Sequence, residues 1–343
     1  AVGCFFVMFI INSTLGLVSL GIVAAVYIYL AKRKNLETRE GDTRSGMFNS
    51  LAEWSAKVVS RLPEASERAW QPNLLVPAQN VNDVVRSYKT IYNLARPKGS
   101  VKILGFDTAG ESRKLAKRLP ELCQAFMHQD ISAAFAMVHA ESYLSGVLTS
   151  MQSLKASFFR PNTLFLSLTD NAGADHETTI LLNKAKEYGF GAYLYVAYGK
   201  VGLGLEKSIN LWLDIRDVER DIKYRVDHIN IGILTAYLLK RNWHAELNIM
   251  VIINDNGDRL REKHAAQQYM HKLMILARLP RSTNILYVTN HVYRITEDMP
   301  RADLNILTLV PDQIDIAEVR QKSALFETSI LCTLDSGLEN ALA

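Results

Sequence analysis

Three features predict an α/β protein of two pseudo-repeated parallel-sheet subdomains preceded by a transmembrane helical segment. Short β-rich runs alternate with helical stretches, apolar runs such as LFLSL are continuous, and Ala1 to Ala31 contain no Asp, Glu, Lys or Arg. A length of 343 residues suits about two domains. Hydrophobic residues at 48% and charged residues at 22% exclude a disordered chain or a small disulfide framework. A net charge of +4 is too dilute to imply nucleic-acid binding. Cys4, Cys123 and Cys332 are too far apart for a zinc or redox pair and fit a reducing, cytosolic setting.

The opening comes first. A bilayer-spanning helix needs about 20 apolar residues. The triplet Asn12-Ser13-Thr14 divides the run, so residues 1–31 read as the end of one span and a complete last span from Leu15 to Leu30. Lys32, Arg33 and Lys34 follow the apolar run instead of preceding it, which marks an anchor with a basic stop and places residues 32–343 in the cytoplasm. The run is already under way at Ala1, so the chain is expected to be the tail of a longer protein.

Residues 32–69 read as a polar linker to residue 45, then an amphipathic connecting helix. In that helix Met47, Phe48, Leu51, Trp54, Val58 and Leu62 recur at helical spacing until Pro63 ends the pattern. Its stripe, with Phe48, Leu51, Trp54 and Val58 at its centre, is open to two readings: packing on the following domain, or a partner helix in a homodimer.

The first subdomain is expected over residues 70–225, with strands at 73–76, 101–106, 133–139, 162–168 and 191–197 and helices at 81–94, 111–126 and 141–158 between them. A charged irregular passage runs from Asp214 to Arg225. The second subdomain, residues 226–343, reads as helices at 229–240, 259–277 and 316–328 and strands at 245–253, 284–289, 303–309 and 330–333. Gln71-Pro72-Asn73-Leu74 and Arg160-Pro161-Asn162-Thr163 echo one another, each placing proline just ahead of a strand, and suggest internal repetition.

Chemistry is sparse. Gly199 to Ser208 follows a strand, is rich in glycine and ends in Lys-Ser, as a phosphate cradle does, but Leu205 and Glu206 separate the last glycine from Lys207. A glycine-relaxed turn is the preferred reading. The acidic group Asp170, Asp175, His176 and Glu177 lacks a calcium-loop frame, and Asp175 reads as the cap of the helix that follows. His139 and Glu141 match half of a zinc-deaminase motif whose Pro-Cys-x-x-Cys half is missing, and His264 with His271 lacks a carboxylate at ligand spacing. No catalytic residue, metal site or cofactor is expected, and no nucleic-acid partner.

Several stretches resemble the cation-chloride cotransporter family, especially its prokaryotic members. FFVMFIINSTLGLVSLGIVAAVYIYLAKRK is similar to the family's last membrane helices. Arg160-Pro161-Asn162-Thr163-Leu164, with Val-His-Ala at 138–140 before it, looks like the phrase that opens a strand in the cytoplasmic domain. IGILTAYLLKRNW at 231–243, PRADLNIL at 300–307 and the closing residues 336–343 resemble the second half of bacterial members. The resemblance implies two α/β subdomains distantly similar to universal stress proteins, without the glycine signature that holds ATP in some of them. It implies the C-terminal regulatory and dimerisation domain of an electroneutral Na/K/Cl cotransporter. Its partners would be a second copy, an upstream transport core of the same protein and the lipid bilayer of the cell membrane. The family's ion-binding residues lie in earlier membrane helices, so none is carried over. The alternative is a membrane-tethered nucleotide-binding α/β signalling module, resting on the Gly199 to Ser208 loop.

Overall fold

The computed structural model describes residues 13–33, 43–59, 70–107, 112–157, 160–169, 171–199, 202–215, 228–253, 259–280, 282–289, 299–311 and 313–342. They fall into two units, Ala1–Ala65 and Ser66–Ala343.

Among its described residues the first unit holds two helices. Helix α1, Ser13–Arg33, is formed by a run free of proline and carries exposed apolar side chains from Leu15 to Val26. Among the described residues no helix is long and apolar enough to cross a membrane, so the span expected within 1–31 finds no support in the structure. Residues 1–12 lie outside the described residues, and side chains of α1 are described only as far as Val26. Helix α2, Thr43–Val59, begins inside the stretch read as linker, and the expected end at Leu62 lies outside the described residues. A Glu53–Lys57 pair at 2.7 Å, one turn apart, supports it.

In the second unit ten strands form one sheet. They are β1 (Asn73–Ala78), β2 (Ser100–Phe106), β3 (Ser132–Val138), β4 (Thr163–Ser167), β5 (Gly191–Val196), β6 (Ser208–Asp214), β7 (Glu246–Ile253), β8 (Asn284–Thr289), β9 (Leu304–Thr308) and β10 (Ser329–Leu334). The order is β3-β2-β1-β4-β5-β10-β9-β6-β7-β8. Read inward from each edge, both halves have the same order, and every neighbouring pair is parallel except β5 with β10. That antiparallel seam pairs Leu194 with Cys332. A pseudo-two-fold axis through the seam therefore relates the halves. All residues of β5 and β10 are buried, as strands covered on both faces require.

Helices α3 (Val81–Ala95), α4 (Ser112–Met127), α7 (Asn230–Trp243) and α8 (Arg259–Leu276) pack on one face, around a core that includes Ile91, Leu119, Ile231 and Met270. Helices α5 (Tyr143–Leu154), α6 (Asp175–Glu187) and α9 (Ile316–Phe326) cover the other, around Met151, Leu182 and Phe326. Shared faces confirm that the axis stands perpendicular to the sheet.

Strand β6 escaped the sequence reading, which assigned its first residue to the glycine loop and its last to the charged passage. Its parallel pairing with β7 and β9 makes it the central strand of the second half, so the division set at residues 225 and 226 moves to the turn before Ser208. The echo of Gln71-Pro72-Asn73 in Arg160-Pro161-Asn162 is also relocated: the two phrases lie side by side at the starts of β1 and β4, within one half.

Candidate functional site

Three places in this fold gather backbone N–H groups as anion-binding α/β domains do, and each holds a carboxylate of the chain itself. The first is the loop before β6. Glycines at 199, 202 and 204 adopt positive φ of +50, +57 and +59°, folding the loop so that N–H groups converge. Into it reaches Asp303, just before β9. Its Oδ1 accepts from Leu205 N at 3.0 Å, and its Oδ2 from Lys207 N at 2.8 Å, Ser208 N at 3.1 Å and Ser208 Oγ at 3.2 Å. Burial works to raise the Asp303 pKa, but these donors outweigh it and hold the carboxyl below its usual range. Gly204 is required twice, by its φ and because a Cβ there would overlap Asp303 Oδ1. Glu206, one of the two residues that separate the last glycine from Lys207, turns its carboxylate to Asn93 Nδ2 at 2.8 Å and Lys89 Nζ at 3.2 Å.

The second place is the switch point between β1 and β4, where open α/β sheets bind ligands. A cavity of about 110 Å³ is lined there by Gln79, Asp83, Tyr143, Ser167, Thr169 and Glu177, among others. Asn80 and Asp83 form a capping box: Gln79 N and Asn80 N both donate to Asp83 Oδ2 at 3.0 Å, and Asp83 N donates to Asn80 Oδ1 at 3.1 Å. The helix N-terminus that would meet a phosphate thus already faces a carboxylate. Burial raises the Tyr143 pKa, and the charges of Asp83 and Glu177 raise it further. The third place is the start of α7, where Asp335 accepts from Asn230 N at 2.8 Å and Ile231 N at 2.9 Å.

Other buried polar groups join strands. Asn284 Nδ2 donates to Asn248 Oδ1 at 3.0 Å, Asn248 Nδ2 to Asn210 Oδ1 at 2.9 Å, and Asn210 Nδ2 to the Pro300 carbonyl at 2.8 Å, a ladder across β8, β7 and β6. Beside it Asn305 accepts from Trp212 Nε1 at 2.8 Å, and the Trp212 ring stacks on Phe326 at 5.1 Å. Across the seam, Tyr193 and Thr235 share a hydroxyl bond of 2.7 Å, and Arg320 grips Asp175 with two bonds of 2.6 and 3.1 Å while also donating to the Thr169 carbonyl.

Asp175 therefore does not cap α6 as expected. The helix begins at that residue, Ala174 offers no side-chain cap, and the Asp175 carboxylate is oriented by Arg320 instead. Asp170 lies outside the described residues. His139 faces Asp107 at 3.7 Å, and His264 and His271 are exposed on α8. Among the described residues no group of three His, Cys, Asp or Glu could hold a metal.

Of the residues singled out in the first unit, Lys32 and Arg33 end α1 without described side chains, and Lys34 lies outside the described residues. The Phe48 side chain is not among those described, whereas Leu51, Trp54 and Val58 are exposed, Trp54 at 62%. The five residues from Arg160 to Leu164 come together as a strand start. Asn162 Oδ1 accepts from Asn73 N at 2.8 Å, and its Nδ2 donates to the Gln71 carbonyl at 2.8 Å. Thr163 and Leu164 are fully buried beyond it.

The ten-stranded sheet is thus pseudo-symmetric, and these three nests are filled by carboxylates of the chain itself. Residues 76–203 match the family "Prokaryotic cation-chloride cotransporter, C-terminal domain, 1st", and residues 204–342 match its "2nd". The chain belongs to the prokaryotic cation-chloride cotransporter family, and residues 76–342 are its C-terminal domain. Among solved structures, the crystal structure of the cytoplasmic domain of a prokaryotic cation chloride cotransporter is similar at 30% identity and a TM-score of 0.69, covering 80% of this chain and 99% of that one. A functionally unknown protein from Pseudomonas aeruginosa PAO1, at 12% identity and a TM-score of 0.50 over 79% of this chain and 95% of its own, shares the fold. A universal stress protein from Archaeoglobus fulgidus DSM 4304 aligns over 77% of this chain and 97% of its own at 12% identity and a TM-score of 0.48. No curated protein matches the chain. The family's division at 203 and 204 falls in the glycine loop, where the sheet also divides.

Proposed function

We propose that residues 32–343 form the cytoplasmic regulatory and dimerisation part of an electroneutral cation-chloride cotransporter. The observation that carries this reading is the unbroken match of residues 76–342 to the two C-terminal domains of that family. The domain catalyses no reaction in this account; its role is positional. The exposed apolar side chains of α1, from Leu15 to Val26, support a place for this segment at the membrane ahead of the domain. Helix α2 carries dimerisation: Leu51, Trp54 and Val58 leave an exposed stripe at helical spacing, which suits a second copy of the same helix. Dimer packing then biases a transport core between its states.

The test is analytical ultracentrifugation of the chain in detergent with Phe48 and Trp54 both replaced by Ser. The account expects a dimer whose affinity falls at least tenfold in the double variant. An unchanged dimer, or a monomer at every concentration of the parent chain, contradicts it.

A further inference from the structure

The two layers of helices on the sheet differ in charge. Helices α3, α4, α7 and α8 carry twelve Lys and Arg against three Asp and Glu. Helices α5, α6 and α9, on the opposite face, carry four of each. In a chain with a net charge of only +4, these four helices thus carry nine more positive than negative charges, twelve less three. The two outer helices, which are related by the pseudo-two-fold axis, contribute most. Arg113, Lys114, Lys117 and Arg118 are exposed on α4, and Arg261, Lys263 and Lys272 on α8.

Lys240 and Arg241 suit the last turn of α7, but helix stability does not account for the cations at the start of α4. Cations near a helix N-terminus oppose the macrodipole, yet α4 begins with Arg113 and Lys114 and has no acidic residue in its first turn. A second observation is independent of charge. Among the described residues from 70 to 342, ten large apolar side chains are exposed; six lie on these four helices and one, Leu325, on the other three. Val85, Met127, Tyr237, Leu260 and Ile275 are interspersed with the cations. Lys and Arg mixed with exposed apolar side chains on helices about 10 Å apart make a broad, flat surface, suited to a charged plane with an apolar interior close beneath it.

We infer that this four-helix face docks on the anionic headgroups of a lipid bilayer. The inference rests on the proposed position of the domain beside a membrane. Electrostatic attraction of clustered Lys and Arg to anionic lipid falls off within a Debye length, so the contact is close and sensitive to salt. The opposite face, balanced in charge, is left free for other partners.

Lysine footprinting of the full chain with an amine-reactive acetylating reagent tests this. The chain is mixed either with phosphatidylcholine vesicles or with vesicles of equimolar phosphatidylcholine and phosphatidylglycerol. Labelling of Lys114, Lys117, Lys263 and Lys272 is compared with that of Lys184 and Lys186 on the opposite face. The expected result is about fivefold lower labelling of the first four on the anionic vesicles alone, reversed at about 0.5 M salt, with Lys184 and Lys186 unchanged. Equal labelling on both vesicles overturns the proposal. So does protection by polyglutamate without protection by anionic vesicles, which assigns the face to an acidic protein. Because the two vesicles differ only in charge, the outcome does not depend on whether α1 inserts. Failure here is therefore distinct from failure of the dimer measurement.

Discussion

Asn162 and Asp303 occupy the same place in the two halves of the sheet. Each precedes the strand that lies next to its half's central strand, and each sends its backbone N–H to the first carbonyl of that central strand, Asn162 to Asn73 at 3.0 Å and Asp303 to Ser208 at 2.9 Å. Each side chain then accepts from the N–H of that same residue, at 2.8 Å from Asn73 and 3.1 Å from Ser208. The two halves thus close with the same clamp, built once from an amide and once from a carboxylate.

The clamps predict a matched pair of losses. Asn162→Ala leaves the Asn73 N–H and the Gln71 carbonyl without their partner and is expected to cost about 2 kcal/mol. Asp303→Ala strips an anion from four donors and is expected to cost about 3 kcal/mol. Urea unfolding of both variants checks the order. A smaller loss at Asp303 than at Asn162 contradicts the account.

Asp303 also sets a pH dependence. Its folded pKa lies below the unfolded value, so the stability it contributes is complete above about 3.9, the ordinary Asp value, and is lost as the pH falls through the folded pKa. Asp303→Asn removes that contribution at neutral pH and flattens the acid limb. Stability measured from pH 6 down to pH 2 is expected to converge for parent and variant at the acid end. Parallel curves count against the nest.

The glycine loop separates two causes of glycine dependence. Gly199 has φ of +50° and open space around its Cβ position, so Gly199→Ala meets only backbone strain, about 1 kcal/mol. Gly204→Ala meets the same strain and also displaces the Asp303 carboxylate, so its cost is expected to exceed 3 kcal/mol. Thermal unfolding of the two variants distinguishes them, and equal shifts contradict the close approach.

Arg320 joins the halves through a planar, two-bonded grip on Asp175. Arg320→Lys keeps the charge but loses the fork, and it is expected to recover little of the roughly 1–2 kcal/mol lost in Arg320→Ala. Full recovery by Lys makes the contact a simple charge pair.

Much of the architecture is legible in residue order because it is local. LFLSL predicts a strand buried on both faces, and its first three residues, Leu164 to Leu166, are buried in the sheet. The helical pattern expected from residue 81 is met by α3, which begins at Val81. What the sequence hides is non-local. Strand β6 contains Asn210 among its apolar residues, and that residue makes sense only beside Asn248, 38 positions away. The nest at Gly199 to Ser208 reads as a failed phosphate loop until Asp303, 95 residues beyond Ser208, is folded against it. The antiparallel seam of β5 and β10 and the basic face appear only once the two halves are placed around their axis. The structural repeat of Arg160-Pro161-Asn162 is Arg301-Ala302-Asp303, in which only the arginine is shared.

The central claim is that this domain regulates a cotransporter through the position of its connecting helix. Chloride-dependent rubidium uptake by the transporter that carries it, with Phe48 and Trp54 both replaced by Ser, tests that claim most directly. The account predicts uptake altered at least threefold at equal abundance in the membrane. Unchanged uptake by a transporter shown to have lost its dimer contradicts it.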